Sequence, residues 1–182
     1  NSSPALPRLD FSAATTYLEG SSVITGTTAR TFFTVVQASS VTGGSSNNAA
    51  WGLSPIIGSG EGYGLFVEKP SGSTGLGLRV SGNKLMDYTA DGFGDSDLTG
   101  NPFIYTGQSS TNADVRFTDF HLNGTLLTTV SQQTSATLDT DNSGVIIGGF
   151  SGDGDNNPDS AFDFNGDIFE LITYSSDLNA TR

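Results

Sequence analysis

Every window long enough for an α-helix in this chain is interrupted by Gly, Ser, Thr or Asn, and short apolar runs are what remain between the interruptions. The helix-favouring residues Ala, Glu, Lys and Leu never cluster. The runs have the length and spacing of strands: TTYLE (15–19), RTFFTVVQ (30–37), GYGLFVEK (62–69), LGLRV (76–80), PFIYT (102–106), DVRFTDFHL (114–122), TLLTTV (125–130), GVIIGG (144–149) and DIFELITY (167–174). Turn residues bound each of them. In a chain of 182 residues, long enough to bury a core, this series predicts an all-β, two-sheet antiparallel sandwich.

The sharpest local signal is HLNGTLL (121–127), where Asn123-Gly124 between two apolar runs predicts a tight hairpin, since both residues tolerate positive φ. Alternation in 114–122 slips between Phe117 and Phe120, which predicts a bulge. GVIIGG and DIFELITY are apolar at both parities and are expected to be covered on two sides. ASSVTGGSSNNAA (38–50) reads as a surface loop. With neither an internal repeat nor a linker, residues 1–182 are expected to form one domain, and a start at Asn1 reads as a piece of a longer secreted protein.

The net charge of −12 is lopsided. Residues 1–90 carry five acids and five bases, whereas residues 91–182 carry 14 acids against Arg116 and Arg182. Nearly all those acids are Asp, a short, turn-favouring residue that puts carboxylates on loops. An acidic surface excludes nucleic acid and anionic membranes as partners, which need a basic face. No run is apolar and long enough for membrane insertion. The absence of Cys removes disulfides and thiolate metal sites.

Three acidic segments carry the spacing of a hard-cation site. DGFGDSD offers Asp91, Asp95 and Asp97; DTDNSG offers Asp139, Asp141 and Ser143 before Gly144; DGDNNPD places Asp153, Asp155, Asn157 and Asp159 at alternate positions. Calcium takes six to eight oxygens from such flexible loops. Neither Asp139 nor Asp153 is followed by Glu at the twelfth loop position, where Phe150 and Phe164 stand instead, so neither begins a complete EF-hand loop. The alternative is a set of solvated Asx turns. Clustered acids without a base repel, and a divalent ion removes that cost, which favours calcium with the 153–159 segment first and 91–97 next.

The order TTYLE, RTFFTVV, FHLNG, VIIGG and FNGDIFELITYSSDLNATR resembles the bacterial laminin-G-like domains of the concanavalin A-like lectin/glucanase superfamily. The C-terminal motif is the most specific part: Phe164, Gly166-Asp167-Ile168, Glu170, Ile172, Tyr174 and Leu178. The resemblance implies a jelly roll with one concave sheet, and by itself no single function. Relatives often hold a loop-bound calcium at the sandwich rim to orient a ligand. Phe93 and Phe150, inside and beside acidic segments, and Trp51, beside the 38–50 loop, are the candidates for stacking on that ligand. Tyr63 and Tyr105, on strands, are expected in the core.

Catalysis finds little support. Glycoside hydrolysis generally uses two carboxylates at a fixed separation, and in the glucanase branch both come from one strand. Glu19, Glu61, Glu68 and Glu170 each lack a second acid two to five residues later on the same strand. The lyase branch needs bases with a His/Tyr pair, and here His121 is the single His. His121 reads as a strand residue beside a hairpin, and Glu170 as a structural hydrogen-bonding residue rather than a buried acid. The expected function is a non-catalytic, calcium-assisted recognition module of a secreted bacterial adhesin. Its ligand is an extracellular glycan or peptide, and it acts as a monomeric unit of a multidomain chain at the cell surface. The alternatives are a carbohydrate-binding module of a polysaccharide-degrading enzyme and a calcium-stiffened structural spacer.

Overall fold

The computed structural model describes residues 7–12, 16–21, 24–40, 49–53, 63–68, 77–79, 85–87, 95–111, 119–127, 140, 144–149 and 163–178. Among the described residues, twelve strands, numbered β1 to β12 in chain order, form two antiparallel six-stranded sheets. In spatial order the first contains β1 (Leu9–Asp10), β12 (Gly166–Tyr174), β3 (Arg30–Ala38), β8 (Phe103–Ser109), β9 (Asp119–Leu122) and β10 (Thr125–Leu126). The second contains β2 (Leu18–Gly20), β11 (Val145–Ile147), β4 (Ala49–Leu53), β5 (Tyr63–Glu68), β6 (Gly77–Arg79) and β7 (Leu85–Asp87). This is the expected jelly-roll sandwich. One short helix, α1 (Asp95–Thr99), precedes β8. Among the described residues, no helix is long and apolar enough to cross a membrane.

The core lies between the inner faces, where strand alternation delivers it. Phe32, Val36, Phe103, Tyr105, Phe120, Leu122 and Ile168 come from the first sheet, and Trp51, Leu65, Val67 and Ile146 from the second. Phe32 sits edge-on to Trp51, with ring centroids 4.9 Å apart, and Tyr105 stacks on Phe120 at 5.5 Å. Gly107 interrupts the large residues of β8 because a methyl group there would run into the Phe32 ring. Thr34, fully buried in the middle of β3, accepts a hydrogen bond from Trp51 Nε1 at 3.0 Å, which stitches the two sheets together through an otherwise apolar layer. A buried indole N–H without a partner would carry a desolvation penalty, and Thr34 removes it.

The Asn123-Gly124 hairpin forms as expected, with φ of 51° and 81°. The Asn123 side-chain oxygen also accepts from Ile104 N at 2.9 Å, so the turn is pinned to the neighbouring β8. DIFELITY departs from expectation. Its double parity reflects a β-bulge in which Phe169 is the extra residue between Ile168 and Glu170. Before the bulge Ile168 points inward; after it Leu171, opposite the buried Thr34, takes the inner face. Ile172 and Tyr174 are left 36% and 43% exposed on the outer face. The bulge expected near Phe117 lies outside the described residues. The 38–50 segment is not one loop, since Ala38 ends β3 and Ala49 and Ala50 begin β4. Ala50 is a bulge residue of this strand and is fully buried.

Candidate functional site

Strand directions place the described residues beside each acidic segment at an end of the sandwich. At one end β3 finishes, β12 and β8 begin, and Ser39 N donates to Asn165 O at 2.8 Å. Gly149 and Asp163, the described residues on either side of the segment containing 153–159, lie at this end. Phe164 N donates to Gly148 O at 2.9 Å, and Gly148 N donates to Ala50 O, so the described residues flanking that excursion are clamped together. Helix α1 docks at the same end. Its Leu98 is fully buried, and Gln37 Nε2 donates to Thr99 O at 3.0 Å. Asp95 and Asp97 therefore sit on one helical turn rather than in a loop, with Asp97 exposed. The flanks of the 91–97 and 153–159 segments thus converge.

The third segment goes elsewhere. Thr140, between Asp139 and Asp141 in sequence, pairs with Gly26 beside the start of β3, at the opposite end. Nine residues of β3 separate the ends, which at about 3.3 Å per residue is roughly 26 Å. One ion, with ligands at about 2.4 Å, cannot draw on both. The turn also has its own positive charge. Arg30, 1% exposed, donates from Nη1 to Thr140 Oγ1 at 3.1 Å, from Nη2 to Gly26 O at 2.6 Å and from Nε to Thr28 O at 3.1 Å. A buried guanidinium thus lies against Thr140, the described residue between Asp139 and Asp141 in sequence. The sequence hid this arrangement because Arg30 and Thr140 are 110 residues apart.

Trp51 is not a ligand platform. It is fully buried between the sheets, with its indole nitrogen occupied by Thr34, so no ring face is open to stack on a sugar. Phe93, Phe150, Asp91, Asp139, Asp141, Asp153, Asp155, Asn157 and Asp159 lie outside the described residues, as does the side chain of Asp95. Among the described residues, no three His, Asp or Glu side chains gather as a metal site. Tyr105 is in the core as expected. His121 is the partly buried strand residue beside the hairpin, and its Nδ1 is buried without a hydrogen-bond partner. Glu170 is exposed on the outer face of β12 rather than a buried acid, and among the described residues its carboxylate has no hydrogen-bond partner.

A cleft of about 390 Å³ opens along the side of the sandwich between β12 and β11, a feature with no signal in the sequence. Pro7, Leu9, Ile147, Ile168, Phe169 and Leu171 line it together with Arg8 and Glu170. Arg8 Nη1 contacts Asp167 Oδ2 at 3.0 Å.

Searched by sequence, the chain matches no family model and no curated protein. Its shape does match solved structures. The native heptameric SAP-like pentraxin of Limulus polyphemus superposes with a TM-score of 0.59 at 11% identity, over 90% of this chain and 71% of that one. The chain has a concanavalin A-like fold. Domains LG4-5 of the mouse laminin α1 chain superpose at 0.58 with 10% identity, over all of this chain and 46% of that one. Ruminococcus gnavus IT-sialidase CBM40, bound to α2,3 sialyllactose, superposes at 0.52 with 14% identity, over 92% and 95% of the two chains. These likenesses are of fold, and the fold is the jelly-roll sandwich that the resemblance in sequence implies.

Proposed function

We propose that this domain is a non-catalytic carbohydrate-recognition module of a secreted bacterial adhesin, aided by calcium. Its ligand docks where the 91–97 and 153–159 segments meet. The observation that supports the reading is that the described residues flanking both segments lie at one end, through Gln37–Thr99 and Phe164–Gly148. The donor set is all oxygen, as calcium prefers. Asp153, Asp155, Asn157 and Asp159 would supply most ligands, with Asp91, Asp95 and Asp97 completing the shell. Calcium bound there would offer coordination sites to vicinal sugar hydroxyls, and Phe93 or Phe150 would stack on the sugar face. Asp139 and Asp141 are assigned to the Arg30 turn rather than to this ion.

A second reading, a carbohydrate-binding module joined to a polysaccharide-degrading enzyme, is favoured by the likeness to the sialidase CBM40 along nearly its full length. Both readings predict calcium-dependent glycan binding without turnover. A glycan array probed with the domain, in calcium and in chelator, tests them together. Spots that require calcium support recognition at the acidic end. Binding indifferent to chelation would detach the ion from it, and hydrolysis of bound glycans would overturn the non-catalytic assignment.

A further inference from the structure

The outer face of the first sheet carries apolar side chains where alternation would place polar ones. Cross-strand pairing aligns Ile172, Phe33, Thr106, His121 and Leu126 in one row over β12, β3, β8, β9 and β10. Two residues along the strands, Glu170, Val35 and Ile104 form a second row. Of the large apolar side chains left exposed among the described residues, Ile104, Leu126, Ile172 and Tyr174 share this face. Phe33 and Val35 lie half-buried between them, and Phe33 meets Tyr174 edge-on at 6.3 Å. The chain after β12 walls the first row on one side. Thr31 Oγ1 donates to Ser176 O and accepts from Leu178 N, both at 2.9 Å, and Gln108 Nε2 donates to Leu178 O. Residues 176–178 therefore cross β3 and β8 on this face, which is why Thr31 is buried while Phe33 beside it is not.

We propose that the two apolar rows are a docking surface for a basic amphipathic helix of a partner protein. Backbone chemistry selects a helix. Strands β3, β8 and β9 are paired on both sides, so their N–H and C=O groups belong to the ladders already. An extended peptide laid across them would leave its own backbone groups unpaired, whereas a helix satisfies its own. Five strands about 4.8 Å apart span roughly 19 Å, the length of a helix of about 13 residues. Its apolar stripe, at i, i+3, i+4 and i+7, would lie along the rows. Charge selects a basic occupant. Among the described residues, the bases of this sheet's strands and their flanks are Arg8, in contact with Asp167, and Arg30, buried at the start of β3. Glu170 on β12 and Asp119 on β9 stand exposed toward opposite sides of the patch, where Lys or Arg flanking the stripe would meet them. A second copy of the domain brings the same carboxylates and the same net charge of −12, and is repelled. The surface lies on a sheet face rather than at the acidic end, so it stands or falls separately from glycan binding.

Titration of the whole domain with three fourteen-residue peptides tests this site. The first places Leu at helical spacing with Lys elsewhere, the second scrambles that composition, and the third replaces Lys by Glu. The expected result is that the first binds at least tenfold more tightly than the others, becomes helical on binding and shifts the Ile104 and Ile172 methyl resonances. An Ile104→Thr/Ile172→Thr variant, which keeps strand-favouring residues and the net charge, should weaken that binding at least tenfold with its near-ultraviolet dichroism unchanged. Leu126→Thr alone provides the same test if the double variant fails to fold. Equal binding of the scrambled peptide, or binding indifferent to these substitutions, would reduce the effect to bulk charge and overturn the proposal. So would no binding at all, self-association of the domain through this face, or a glycan that shifts these methyls where the peptide does not.

Discussion

At the residue scale, the side chain that most changes the functional reading is Trp51. A chain with a single Trp beside a Gly/Ser-rich segment invites a ligand-stacking role; the structure gives Trp51 to the core and its N–H to Thr34. Trp51→Phe is expected to cost about 1–3 kcal/mol in urea denaturation, since the Thr34 hydroxyl loses its buried partner. Adding Thr34→Val should return part of that loss by removing both polar ends. Trp51 fluorescence should remain unchanged on adding a bound glycan, and quenching by glycan would return Trp51 to the ligand site. Asp10 offers a pH test. Its carboxylate is held below the ordinary value by the Ser12 hydroxyl, then by the Ser12 amide at 2.8 Å, with Arg8 adding attraction. A lowered value means that this contribution is complete above the ordinary carboxylate range and is lost as pH falls through the lowered one. Ser12→Ala should move the Asp10 midpoint upward in an NMR titration.

At the element scale, local chemistry was legible wherever it set backbone geometry. Asn123-Gly124 announced its hairpin because positive φ is available to few residues, and Gly124→Ala should cost about 1–2 kcal/mol for φ of 81° alone, there being no neighbour within 4 Å to clash. Strands β1, β4 and β7 were illegible for physical reasons. Two or three residues carry no periodicity, and the small residues of Ala49–Leu53 acquire their strand from tertiary packing. The bulge at Phe169 was misread because a parity switch in one strand and a strand covered on both faces produce the same apolar string. Arg30 belongs to this scale as well, since it joins β3 to the Thr140 turn. Arg30→Lys should destabilise nearly as much as Arg30→Met in thermal melts, because a single ammonium cannot span Gly26 O, Thr28 O and Thr140 Oγ1.

At the scale of the whole molecule, the sandwich was legible because strand-length apolar runs without helical periodicity leave few other ways to bury a core. The grouping of the acidic segments was not legible. Nothing in the sequence says that the described residues flanking 91–97 and 153–159 share an end while Thr140 lies at the other, roughly 26 Å away, since chain direction through two sheets decides it. A buried guanidinium, Arg30, is held at the Thr140 end. The most direct measurement is a thermal melt of chelator-treated protein with and without calcium, repeated for an Asp153→Ala/Asp155→Ala variant and an Asp139→Ala/Asp141→Ala variant. At calcium a hundredfold above Kd, linkage stabilises the native state by about 2.7 kcal/mol, or roughly 5–10 °C in Tm for a chain of this size. The account predicts that rise in the parent protein, its loss in the 153/155 variant and its survival in the 139/141 variant. A parent Tm indifferent to calcium, or a rise that survives in the 153/155 variant and disappears in the 139/141 variant, would contradict it.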